Sequence, residues 1–184
     1  MRLTDRRRGV GKKAVDIYEG CVTLEFTVLS DGDVRTLTVN HKNVDDYLDT
    51  LIVDGVEYTP TRSYQHTFAA GRHKIGWKFN TNVIYTSVIN AVSTSTTMAN
   101  DNALVTIPAN ITEIQSNALL GRPAYRPYGG VVCYAKTPPV AATTSIGNWY
   151  LVQQKSYLYV PAESVDDYKA AEGWSQYASQ IVAI

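Results

Sequence analysis

Val22, Leu24 and Phe26 alternate with Thr23, Glu25 and Thr27, the two-residue period that separates the two faces of a half-buried strand. The turn cluster Ser30-Asp31-Gly32-Asp33 follows, and Val34 to Val39 alternates again. Residues 20–39 therefore read as a hairpin. Asn43 then stands where the cap of a short helix would, ahead of Val44, Tyr47, Leu48 and Leu51. Asp54-Gly55 marks a second hairpin, between Leu51-Ile52-Val53 and Val56-Glu57-Tyr58. After Gly71, the residues Ile75, Trp77 and Phe79 share one face of a further strand. The pattern predicts a small antiparallel β-domain over residues 14–82.

The pattern changes in the second half. Residues 83–102 read as a linker, with 91–102 rich in Ser, Thr, Asn and Ala. Two very short strands follow, Leu104-Val105-Thr106-Ile107 before Pro108 and Ile111-Thr112-Glu113-Ile114 after it. A similar strand-then-proline unit recurs as Ser156-Tyr157-Leu158-Tyr159-Val160-Pro161. Ser164 with Asp167 three residues on resembles a capping box, predicting a helix over Val165 to Ala171 that stops at Gly173. Trp174, Tyr177, Ile181, Val182 and Ile184 supply apolar material to seal the end of a stack. The expected fold is mainly β, with one short helix near the C-terminus.

Composition narrows the class. The chain has 184 residues, 45% hydrophobic and 18% charged, a globular balance with fewer charges than the roughly 25% usual in soluble domains. Its 17 basic and 17 acidic residues cancel, which argues against a general polyanion binder. The cancellation is uneven, however. Arg2, Arg6, Arg7, Arg8, Lys12 and Lys13 face only Asp5, so residues 1–13 carry +5 and the remaining chain −5. The basic start runs into Gly9-Val10-Gly11-Lys12-Lys13, unlike the apolar stretch of a secretory signal. No run approaches the roughly 18 apolar residues of a membrane span. The chain as written is thus expected neither to be exported nor to insert in a membrane. Two cysteines allow one pairing, Cys21 with Cys133.

Candidate chemistry is sparse. His41, His66 and His73 show no HExxH spacing and no paired cysteines beside them. No nucleophile elbow, phosphate loop or dinucleotide fingerprint occurs, and Gly9-Val10-Gly11-Lys12 has no strand before it. Asp45, Asp46, Asp49 and Asp54 lack the spacing of a calcium loop and read as a solvated face, while Asp31 and Asp33 read as turn residues. Nothing orders Ser30, His66 or His73 into a triad. No enzyme, cofactor or metal site is expected.

Val105-Thr106-Ile107-Pro108-Ala109-Asn110-Ile111-Thr112-Glu113-Ile114 resembles the core of the BspA-like leucine-rich repeat of anaerobe surface proteins. Ala118-Leu119 falls where that repeat usually has Ala-Phe. Val132 to Pro139 is similar to the family's last repeat, and Leu158 to Ile181 to its terminal cap. Val53 to Pro60, with Gly71, His73 and Phe79, resembles a β-module that often precedes such repeats. Gln115 replaces a usual Gly, Gly121 falls near a usual Cys, and about one full repeat precedes the cap. The resemblance implies a short capped repeat segment over 103–184. Because solenoids generally need three or more units, this one is expected to close against the β-domain or another subunit.

Two features remain for function. The chain has 13 Tyr and 3 Trp, and Tyr125, Arg126, Tyr128, Trp149 and Tyr150 stand beside turn residues as contacts for a partner or glycan. Residues 1–13 are expected to dock on neighbouring chains of a larger assembly, their arginines suited to carboxylates. With the resemblance, this points to a non-enzymatic structural and adhesion protein. It would be a virion component (head fibre, decoration or tail protein) of a phage infecting gut anaerobes, oligomeric and without nucleic acid as partner. The alternatives are a secreted or surface-anchored BspA-like adhesin and a glycan-binding module.

Overall fold

The computed structural model describes residues 16–28, 35–40, 48–59, 63–85, 104–116, 118, 130–142, 145 and 156–184. The fold is mainly β, with one short helix near the C-terminus. In chain order the strands are β1 (Val22–Val28), β2 (Arg35–Asn40), β3 (Leu48–Val53), β4 (Val56–Tyr58), β5 (Ser63–Phe68), β6 (Gly71–Phe79) and β7 (Val83–Ile84). There follow β8 (Leu104–Ile107), β9 (Glu113–Ile114), β10 (Gly130–Cys133), β11 (Val140–Ala141), β12 (Tyr157–Val160), helix α1 (Val165–Ala170) and β13 (Ile181–Ala183). They form a main sheet in the order β13-β12-β10-β8-β1-β6-β3-β4, a small sheet β11-β9-β7 and a ribbon β2-β5.

In the first half, β3 and β4 form the expected hairpin, with Val53 opposite Val56 and Leu51 opposite Tyr58. Its two-residue turn places Asp54 at φ 50 and Gly55 at φ 82, as a type I′ turn requires to match the strand twist. The hairpin expected over residues 20–39 does not form. β1 instead pairs antiparallel with β6, Leu24 opposite Ile75, and with β8, Leu24 opposite Val105. Both edges of β1 are taken, so β2 pairs with β5, a strand that the hydrophobic pattern did not announce. The short helix expected after Asn43 is also corrected where it is described: Leu48 to Val53 is a strand. Its pairing with β6, Leu51 opposite Trp77 and Val53 opposite Ile75, overrides an apolar spacing that fits either period.

The second half is a parallel ladder. Val105 on β8, Val131 on β10, Leu158 on β12 and Ile181 on β13 stand side by side. Their offsets along the chain are 26, 27 and 23 residues. Pro108 and Pro161 directly follow β8 and β12, ending these strands because proline cannot donate to a ladder. After the Pro108 turn, Ile111 is buried and β9 joins the small sheet, parallel to β7 and β11. β8 is parallel to β10 on one edge and antiparallel to β1 on the other. The expected β-domain and repeat segment consequently share one sheet. Val22, Leu24, Ile75, Trp77, Ile107, Val131 and Leu158 belong to one buried cluster.

The chain closes this ladder with a cap. Tyr168 donates its hydroxyl to the Ala135 carbonyl at 2.7 Å, and Trp174 donates its indole N–H to the Pro139 carbonyl at 2.7 Å. The two rings meet edge to face, 4.9 Å apart. Gly173 has φ 81, as its place after the helix predicted. The expected capping box is absent, since Ser164 makes no side-chain cap bond. Ser164 is buried as the last residue of a short 3-10 turn, its N–H bonded to Pro161, so the backbone enters the helix already turning.

Candidate functional site

Strand alternation gives the main sheet two faces, and they differ in content. The inner face carries Leu24, Ile75, Val105, Ile107, Val131, Cys133, Leu158 and Val160, all buried. The outer face of the parallel ladder carries Leu104, Thr106, Val132, Tyr134, Tyr157, Tyr159 and Val182. Thr106, Val132, Tyr159 and Val182 form one row across four strands, and Leu104, Gly130 and Tyr157 another. A Cβ at Gly130 would lie 3.0 Å from the Tyr159 ring and 3.4 Å from Leu104 Cδ1. Those side chains therefore close over the glycine and make a continuous surface. The Tyr157 and Tyr159 rings are 6.2 Å apart at 52°.

Tyr134 and Tyr157 are 49% and 47% exposed, so large rigid rings stand in solvent on a face with no charged side chain among its described residues. Half-exposed tyrosines combine an apolar body with a polar tip, the chemistry of contact surfaces. Among the described residues its charges stand at the border. There Lys74 pairs with Glu25 at 3.0 Å and sits over the Tyr18 ring at 4.7 Å. Tyr18 also covers Gly76, where a Cβ would come 2.7 Å from its ring. Its hydroxyl accepts the Gly55 N–H at 2.8 Å and donates to the Lys74 carbonyl at 3.2 Å. Burial raises this phenol's pKa, with Asp54 adding in the same direction. An open groove of about 650 Å³ lies elsewhere, lined by Ile114, Pro138, Val140, Ala171, Glu113 and Glu172.

Among the described residues, Cys21 and Cys133 are buried, and His73 and Ser145 are hydrogen-bonded. Burial raises the Cys133 thiol, and it pushes Cys21 up to about 11. Both cysteines are free and buried, and each stays a thiol at neutral pH, a weak nucleophile. The two ring nitrogens of His73 contact Asp54 and the Ala69 carbonyl, each at 2.8 Å. Ser145 donates to the Ile114 carbonyl at 2.7 Å. Among the described residues no group of three His, Cys, Asp or Glu side chains could hold a metal ion, and no helix is long and apolar enough to cross a membrane.

Arg2, Arg6, Arg7, Arg8, Lys12 and Lys13, expected to dock on a neighbouring chain, lie outside the described residues, as do the expected contact residues Tyr125, Arg126, Tyr128, Trp149 and Tyr150. Of the acidic cluster, Asp49 is exposed and Asp54 bonds His73 and the Lys74 N–H; Asp45 and Asp46 also fall outside. Sequence reasoning did not single out Tyr134, Tyr157 and Tyr159 as a surface. Their signal was the alternation itself, since Cys133, Leu158 and Val160 point inward and Tyr134, Tyr157 and Tyr159 beside them must point out. No family model matches the chain, and no curated protein matches it.

Proposed function

We propose that the protein is a non-enzymatic structural and adhesion protein built on a BspA-like leucine-rich repeat module, serving as a virion component of a phage that infects gut anaerobes. The observation that carries the reading is the parallel ladder β8-β10-β12-β13, in register at offsets of 26, 27 and 23 residues. All three fall inside the roughly 20–29-residue repeat of leucine-rich solenoids. The antiparallel strand β1 covers the first rung through its pairing with β8, which relieves a short ladder of the need for further repeats. Residues 1–13, with their net charge of +5, anchor the protein by pairing with acidic side chains of a neighbouring virion chain. The outer face with Tyr134, Tyr157 and Tyr159 meets the host surface.

The test is particle composition and adsorption. Purified particles should contain the full chain and lose it when residues 1–13 are deleted. Particles carrying Tyr157→Ala together with Tyr134→Ala should retain the protein yet adsorb more slowly to host cells. Normal incorporation of the truncated chain would contradict the anchoring role. Unchanged adsorption by the double variant would remove the outer face from adhesion. Recovery of the protein from host envelopes in uninfected cultures would favour the surface-anchored adhesin.

A further inference from the structure

His73 lies on β6 just after the β5–β6 turn, its side chain 12% exposed. Its ring packs on Phe26 at 5.5 Å and on Phe68 at 4.9 Å. Its Nδ1 is 2.8 Å from Asp54 Oδ2 in the β3–β4 turn, and its Nε2 is 2.8 Å from the Ala69 carbonyl oxygen in the β5–β6 turn. Asp54 is itself fixed, because its Oδ1 accepts the Lys74 N–H and its own N–H donates to the Lys74 carbonyl, both at 2.9 Å. Both partners of the ring are acceptors. A doubly protonated imidazole donates to both, whereas a neutral one has a single N–H and must set a lone pair against the other oxygen.

We infer that His73 is a proton-dependent latch between two turns at one end of the main sheet, holding both when charged and releasing the β5–β6 turn when neutral. The released partner is Ala69, because the charged carboxylate of Asp54 makes the stronger bond and retains the proton on Nδ1. Asp54 is the charged group in direct contact with the ring. On β6, Lys74 is paired with Glu25 of β1 at 3.0 Å, and Arg72 is exposed and opposite Thr27. His66 on β5 stacks on Phe68 at 4.6 Å. The latch is thus closed while the ring carries both protons and loosens once it gives one up. Because Ala69 directly follows β5, release frees the end of the β2–β5 ribbon, whose Phe68 packs edge to face on Phe26 at 5.0 Å.

Amide hydrogen exchange on the full chain tests this, with rates at pH 5.5 and 8.5 corrected for intrinsic pH dependence. Residues 69–71 should lose protection by about threefold to tenfold at the higher pH, the equivalent of one hydrogen bond. The pH dependence should vanish in Asp54→Asn, for an informative reason. An asparagine can accept from Lys74 and donate to Nδ1, so a neutral ring keeps its single proton on Nε2 for Ala69. His73→Gln, a second route, should show low protection at both pH values. Equal protection of the wild-type turn at both pH values would overturn the latch. So would an unaltered pH dependence in either variant.

Discussion

Gly173 is the residue whose identity the cap tolerates least. Its φ is 81, and a Cβ there would lie 1.9 Å from the Ala141 carbonyl oxygen, so strain and a backbone clash coincide. Gly173→Ala should cost about 2 kcal/mol or more, read as a lower midpoint in urea unfolding. A loss below about 0.5 kcal/mol would show that the turn relaxes around a side chain. Alkali tests two buried protons. Burial pushes Cys21 up to about 11 and Tyr177 up to about 12. The folded chain holds these protons more tightly than the unfolded one, so their contribution is complete below about pH 8. It is lost as pH rises from the thiol's ordinary value towards about 11 and from the phenol's towards about 12. Cys21→Ala should therefore flatten the fall in melting temperature between pH 9 and 11, and an unchanged slope would rule out the thiol as its source.

At the scale of elements, the sequence was most legible where short-range chemistry decides. Asp54-Gly55 specified a turn, and the turn specified the register of β3 with β4. Gly173 takes the positive φ expected of it, although the helix already ends at Ala170 with Ala171 extended, and the prolines after β8 and β12 marked strand ends. What stayed hidden was partner choice. Alternation in Val22–Val28 says that a strand exists, not that both its edges will be claimed by strands more than forty residues away. Leu48 and Leu51 carry a spacing that suits a helix, and only β6 decides otherwise. The outer tyrosine face was written in the same alternation as the core, but its role is invisible until the strands are placed side by side. Leu24 on β1 sits between Ile75 and Val105 and is 6% exposed. Leu24→Ala should cost about 2–5 kcal/mol, and a calorimetric loss under 1 kcal/mol would mean that β1 is less central than its pairing implies.

Across the whole molecule, β8 joins what the sequence divides at residues 83–102. Hydrogen bonding passes from β1 to β8 to β10 without a break, and the buried cluster runs through both halves. Chemical and thermal unfolding should accordingly show one transition, coincident by fluorescence and circular dichroism. Residues 1–85 and 104–184 expressed separately should each give collapsed amide spectra, because each would expose an unpaired strand edge and half of a core. A dispersed, cooperative spectrum from either fragment would establish an independent domain.

The join at β8 also bears on reach. All adjustment in size can be confined to the far side of that strand, where each circuit rests only on its neighbours. A circuit inserted between β10 and β12 would carry the cap outward by one strand spacing, about 4.8 Å, while leaving the antiparallel half where it is. The architecture is thus a ruler with a fixed foot, its length set in discrete steps by how many rungs separate β8 from the closing helix.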